Sequence, residues 1–346
     1  MRVLIVKTSA LGDIIHALPV LDYLHQVVPG IEVDWVVEEP FRDLLAGNPL
    51  VSQLHTVRTK VWRRSPFATA TRRDIAALKE SLRERRYDIV FDIQGNLKSG
   101  LIDWLSGGEE VLGFTGDDLQ ERINLLFTTR HIPLRSQDRH VTDKYLRVVS
   151  TPFGRDFRQY ELRTDIHTSP EDEQAAEALM ATLGEGLVFL FHTGTTWQTK
   201  FWHQEGWIDL GRQLLAGYPE STVLLSWGNE AERQTVTGLA TSIGPGARVT
   251  DRYSLKGLAA LLKKVDLVVG GDTGPVHLAA AVGTPTVSLY RSSDGNGSGP
   301  RGNSHVVIQS PISCTRCFRT KCERDEECRR SITVEMVMNG VRKLIG

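Results

Sequence analysis

The chain has 346 residues, 40% of them hydrophobic and 24% charged, which is ordinary for a folded globular protein long enough for two domains and excludes a largely disordered chain. Forty-one basic side chains face forty-two acidic ones, for a formal charge of −1. No global field therefore draws the protein to nucleic acid, and any electrostatic attraction must be local.

In chain order, residues 2–7 predict a strand, followed by a turn at Gly12 and an amphipathic helical stretch over residues 13–28. Asp13 then stands at a strand tip, where it can take a proton from a hydroxyl or simply cap the helix. A base in the first turn of a helix is weakened by the helix dipole, so the first role calls for an apolar or acidic surround. Further strands are expected at residues 32–37, 53–57, 87–92 and 111–114, with a helix over 140–149. Residues 58–86 carry ten basic side chains against three acidic ones, a local excess of seven. Strands separated by helical segments imply parallel βαβ units and a doubly wound sheet. The pattern lapses between about Pro152 and Pro170, which sets the expected domains at 1–165 and 166–346.

The second half repeats the logic, with strands expected at 187–192, 221–226, 248–250, 266–269 and 285–290. Helices are expected at 205–216, 230–243, 255–264, 276–282 and 333–345. After its first strand come Thr195, Thr196 and Lys200, two hydroxyls and an ammonium suited to a departing diphosphate or, equally, a polar surface loop. Glu230 lies at the next strand tip, where it can bind sugar hydroxyls or cap the following helix. The run Asp272-Thr-Gly-Pro-Val-His277 reads as a strand tip leading into a helix at Gly274, whose backbone N–H groups and dipole would favour a phosphate. Asp272 can cap that helix or hold a ribose hydroxyl. Residues 294–302 read as a flexible loop. Cys314, Cys317, Cys322 and Cys328 form a cluster that suits either a structural metal with four thiolates or a metal-free packed segment.

The first βα turn lacks the G-x-G-x-x-G fingerprint and the P-loop pattern, so hydride transfer and ATP hydrolysis lose support. The Asp-x-Asp motif of metal-dependent glycosyl transferases is also absent. Nucleotide-diphosphate chemistry that uses a helix dipole and a lysine remains.

Taken together, residues 1–13, residues 34–39, Asp92-Ile-Gln-Gly95 with Lys98 and Ser99, the Thr195 to Lys200 segment and Asp272-Thr-Gly274 with His277 resemble the ADP-heptose:lipopolysaccharide heptosyltransferases over essentially the whole chain. The resemblance implies an α/β, GT-B architecture of two Rossmann-like domains with parallel sheets facing a central cleft, and an inverting transfer with no cofactor required. By resemblance Asp13 is the base and Lys200 binds donor phosphates. Thr195, Thr196, Glu230 (or Glu232), Asp272, Thr273, Gly274 and His277 hold ADP-L-glycero-β-D-manno-heptose. Lys60, Arg63, Arg64 and, more weakly, Arg122 meet the carboxylates and phosphates of a Kdo2-lipid A acceptor, although Val61 stands where the family carries an arginine. The N-terminal block and Trp62-Arg-Arg64 resemble type I enzymes, which add the first heptose, whereas the cysteine-bearing tail resembles type II. With no apolar run of membrane-spanning length and no leader pattern, the expected location is cytoplasmic, peripheral on the inner face of the bacterial inner membrane. Two rival readings are a nucleotide-sugar epimerase on the same scaffold and a non-catalytic nucleotide-sugar binding protein.

Overall fold

The computed structural model describes residues 1–346, which divide into two compact units, Met1–His167 and Thr168–Gly346. The first unit contains β1 (Arg2–Val6), β2 (Glu32–Glu38), β3 (Gln53–Val57), β4 (Ile89–Asp92), β5 (Val111–Phe114) and β6 (Arg130–Ile132). They form one parallel sheet in the order β3-β2-β1-β4-β5-β6. The register holds the carboxyl ends level at the centre, with Val6 opposite both Val36 and Asp92. Val3, Leu4, Ile5 and Val6 are fully buried, as expected of a central parallel strand covered on both faces.

The connecting helices are α1 (Leu11–Ala17), α2 (Pro19–Val27), α3 (Arg42–Leu45), α4 (Thr59–Arg64), α5 (Thr69–Arg85), α6 (Leu97–Ser106) and α7 (Val141–Ser150). Leu78 and Leu82 of α5 and Ile102 and Leu105 of α6 pack with Leu4, Val6, Val36 and Val90 in one hydrophobic cluster. α6 starts with a reciprocal cap between Asn96 and Ser99 and stops at Gly107, whose φ of 68° suits a residue without Cβ.

The second unit contains β7 (Val188–His192), β8 (Thr222–Ser226), β9 (Ala247–Val249), β10 (Leu267–Gly271), β11 (Thr286–Tyr290) and β12 (His305–Gln309), also all parallel, in the order β12-β11-β10-β7-β8-β9. Its helices are α8 (Pro170–Met180), α9 (Gln204–Gly217), α10 (Glu230–Ile243), α11 (Leu255–Leu262), α12 (Gly274–Ala281), α13 (Gly295–Ser298), α14 (Asp325–Arg330) and α15 (Val334–Ile345). Phe189, Phe191, Trp202, Trp207, Leu225, Val269 and Leu289 anchor its core.

Each sheet therefore reverses its winding between its first and fourth strands, at β1/β4 and at β7/β10. Such switch points open a crevice at the carboxyl ends of the strands, where ligands bind in doubly wound folds.

Several elements depart from the sequence expectation, among them β6, β12, α5, α6 and α8. The strand β6 was hidden by its exposed Arg130 and His131, and α8 by burying little beyond Ala176. Residues 294–302 are more ordered than a flexible loop, since they contain α13, where Gly295 N–H donates to Gln309 Oε1 at 2.9 Å.

Candidate active site

In the first unit Asp13 follows β1 at the third position of α1, not at its N-cap. Its carboxylate accepts the Ala10 N–H at 3.1 Å and the Tyr145 hydroxyl at 3.3 Å. The surround mixes buried apolar groups and the acidic Asp92 with a cation. Lys7 is fully buried at the tip of β1, 4.6 Å from the Tyr145 ring. Burial pushes its ammonium pKa down, while Asp13 and Asp92 pull it back up. Burial likewise pushes the Tyr145 phenol up, with the Asp13 charge adding to the shift, so Tyr145 stays a hydrogen-bond donor.

The loop carrying Asp13 is fixed by residues from neighbouring strands. Gln94 Oε1, just past β4, accepts the N–H groups of Thr8 and Ser9 at 3.2 and 3.1 Å. Lys98 reaches Ser9 Oγ at 3.3 Å and Glu38 at 3.5 Å. Trp35 donates its indole N–H to the Lys7 carbonyl at 2.9 Å. Buried Asp92 accepts the N–H groups of Gln94 and Gly95, both at 2.9 Å, and the Asn124 amide at 2.6 Å. Glu38 also accepts the Thr59 N–H at 3.2 Å and the Thr59 hydroxyl. That contact ties the start of α4, and with it the exposed Lys60, Arg63 and Arg64, to the same end of the sheet. Arg122 stands apart on an exposed turn, paired with Asp117 at 2.9 Å.

In the second unit Lys200, in the loop after β7, donates to Asp272 at 2.5 Å, and His277 Nε2 lies 3.1 Å from the other carboxylate oxygen. Asp272 is thus neither a helix cap nor a free ligand; Thr273 is the N-cap of α12, and no side chain caps that helix. Burial opposes the charge on Asp272, but the His277 hydrogen bond and the Lys200 ammonium outweigh it and hold the carboxyl well below the usual range. Lys200 also lies 4.6 Å from the Trp197 ring. An ammonium, an uncapped helix start and a histidine thus converge at the β7/β10 switch point, a setting for an anion.

Beside it a cavity of about 380 Å³ is lined by Gly194, Thr195, Trp202, Asn229, Glu232 and Thr235, among others. Glu232 closes over the loop, accepting the Gly228 N–H at 2.7 Å and the Asn229 amide at 2.8 Å. A Cβ at Gly194 would stand 2.7 Å from the Glu232 carboxyl carbon. The carboxylate on this cavity is therefore Glu232, whereas Glu230 is exposed and pairs with Arg233 one helical turn on, at 3.5 Å. Thr195 lines the cavity and Thr196 is exposed.

The cysteines are all free, Cys314 and Cys317 exposed, Cys322 and Cys328 half-buried. The first three line a cavity of about 820 Å³ together with Gln198 and Arg324. No three His, Cys, Asp or Glu side chains are grouped closely enough to hold a metal ion. The segment packs on the loop after β7: Thr199 Oγ1 donates to the Arg319 carbonyl at 2.5 Å, and buried Arg291 bridges the Phe201 carbonyl and Asp325 at 2.5 and 2.6 Å.

Residues 75–327 match the model of glycosyltransferase family 9 (heptosyltransferase). The chain belongs to that family. This family 9 chain is 35% identical to lipopolysaccharide heptosyltransferase 1 of Pseudomonas aeruginosa over 93% of its own length and 87% of that protein. It is 31% identical to the Escherichia coli K12 lipopolysaccharide heptosyltransferase 1 over 90% of its length and 94% of the relative's. The structure of the E. coli heptosyltransferase WaaC with ADP-2-deoxy-2-fluoro heptose aligns with 99% of both chains at 28% identity and a TM-score of 0.78. The GT-B architecture and the glycosyltransferase class follow: the family 9 chain is an enzyme of α/β fold.

Proposed function

We propose that this enzyme moves heptose from ADP-heptose to the Kdo region of Kdo2-lipid A, as heptosyltransferase I does in inner-core lipopolysaccharide synthesis. The carrying observation is the Lys200–Asp272–His277 chain at the uncapped start of α12. In this reading the donor diphosphate takes the place of the Asp272 carboxylate as partner of Lys200, with Thr195 and Glu232 on the nucleotide or sugar hydroxyls. Thr196, Thr273 and Gly274 complete the donor contacts. Lys60, Arg63 and Arg64 supply cationic groups for the acceptor's carboxylates and phosphates.

Asp13 takes the proton of the acceptor hydroxyl as that oxygen bonds to the anomeric carbon from the face opposite ADP. The bond from that carbon to the diphosphate oxygen breaks, its electron pair stays with ADP, and configuration inverts. Lys200 and the start of α12 stabilise the charge gathering on the leaving group. Similarity to the P. aeruginosa and E. coli heptosyltransferases 1 supports the type I assignment. No helix is long and apolar enough to cross a membrane; in this reading a lipid-linked acceptor calls for an enzyme that works peripherally, on the cytoplasmic face of the inner membrane.

The test is to incubate the protein with ADP-heptose and deacylated Kdo2-lipid A and weigh the product. One added heptose with stoichiometric ADP supports the proposal. Transfer only to an acceptor that already carries heptose would make it type II, and donor binding without transfer to either would leave a binding protein.

A further inference from the structure

Nine large hydrophobic side chains are exposed, and five of them, Leu97, Leu101, Trp104, Ile123 and Leu126, come from two adjoining segments of the first unit. Scattered exposed apolar residues are ordinary, but a contiguous group marks an interaction surface. On α6 the exposed residues are Leu97, Leu101 and Trp104, at 39, 47 and 61% exposure and spaced i, i+4 and i+7. That spacing puts them on one face of the helix, which carries no charged side chain there. The adjoining 3-10 turn Arg122–Leu126 adds Ile123 and Leu126, the latter 80% exposed. It is seated on α6 by Phe127, whose ring would lie 2.4 Å from a Cβ at Gly100.

A cationic stripe flanks this face. Arg72, Lys79, Arg83 and Arg86 recur along α5 and its C-cap at spacings of seven, four and three, so they share one side of the helix. Lys79 lies 5.9 Å from the Trp104 ring and Arg83 Nε donates to the Leu105 carbonyl at 3.3 Å, so the stripe borders α6 directly. Of the nearby acids, Glu121 accepts the Leu97 N–H at 2.8 Å, Asp117 pairs with Arg122 at 2.9 Å and Glu110 with Arg130 at 3.2 Å, while Glu109 and, on α5 itself, Glu80 and Glu84 are exposed.

We propose that this face seats the first unit on an anionic phospholipid surface, with Leu101, Trp104 and Leu126 entering the headgroup boundary and the α5 stripe meeting the lipid phosphates. An apolar helix face rimmed by basic residues is the chemistry of interfacial binding, with tryptophan suited to the boundary. The choice of a bilayer over a protein partner rests on the lipid-acceptor reading above and on the charge complementarity of the stripe. About a quarter turn round α6 from that face, Lys98 holds Ser9 and Glu38 beside the Asp13 loop. One helix therefore links the docking face to the acceptor side of the unit.

The test uses the full chain and co-sedimentation with vesicles of mixed phosphatidylglycerol and phosphatidylcholine, against pure phosphatidylcholine. We expect salt-sensitive binding to the anionic vesicles, lowered at least about tenfold by Leu101→Ser with Trp104→Ser, and by a similar factor in Lys79→Glu with Arg83→Glu. Both double variants keep wild-type ADP release with the deacylated, water-soluble acceptor. Absent vesicle binding by the wild type, or undiminished binding by both variants, overturns the docking face. So does a dimer in sedimentation velocity that the Leu101/Trp104 variant abolishes while vesicle binding persists. Failure of wild-type transfer to the soluble acceptor is a separate result, and it counts against the functional reading.

Discussion

The roles proposed for Asp13 and Lys200 differ, and kinetics separates them. Replacing Asp13 by Asn keeps the side chain's shape but removes the proton acceptor, so we expect kcat to fall about 10²–10⁴-fold with donor binding nearly intact, read by ADP release and donor titration. In the proposed mechanism Lys200→Met removes the cation that faces the leaving diphosphate in both ground and transition states. We expect weaker donor binding together with a kcat loss of about 10²–10³-fold. Gly194 tests the neighbouring cavity, because a methyl there displaces the Glu232 carboxyl from the Gly228 N–H. Gly194→Ala should raise KM for the donor several-fold while leaving kcat at saturation close to wild type. Sequence alone left Glu230 and Glu232 as alternatives, since both lie in the first turn of α10. The turn puts Glu232 rather than Glu230 on the cavity, with Asn229 capping the helix and Glu232 lying back over Gly228.

At the scale of elements, strand existence was legible wherever β-branched apolar runs are buried on both faces, as in β1, β4, β7 and β10. The edge strands β6 and β12 were not, because an edge needs fewer apolar residues and these begin with Arg130 and His305. Helices α5 and α6 were also missed as elements: α5 announces itself by charge, and α6 breaks the amphipathic rule by exposing leucine and tryptophan. The donor loop, the helix at Gly274 and Asp13 were all readable as strand-tip positions. Their supports were not, because the contacts of Gln94, Trp35, the Glu38 backbone and Tyr145 with the Lys7–Asp13 loop join residues far apart in sequence. Gln94→Leu would leave the buried Thr8 N–H and the Ser9 N–H without their acceptor, at a cost of about 1–3 kcal/mol. We expect a lower melting temperature and a kcat loss with little change in donor KM, the mark of a misplaced acceptor-side loop.

For the whole molecule, two parallel sheets of the same strand order set one functional loop cluster at each switch point, and each unit's stability bears on its own cluster. His192, at the tip of β7, is buried against Ser226 Oγ at 3.0 Å, and burial lowers its pKa to about 4. The unfolded imidazole titrates near 6.5. Between those values the unfolded chain binds a proton that the folded one refuses, so stability falls as pH drops from about 6.5 to 4, by about 3 kcal/mol. Above 6.5 this residue adds no pH dependence. Urea unfolding of the wild type should show that slope, and His192→Gln should flatten it. The central claim is acceptor-dependent heptose transfer through Asp13, and it is tested most directly by weighing the product of ADP-heptose and deacylated Kdo2-lipid A with wild type and Asp13→Asn side by side. The account requires one added heptose from the wild type and almost none from the variant, with donor still bound by both. Equal product from the two proteins, or bound donor with no transfer by the wild type, would contradict it.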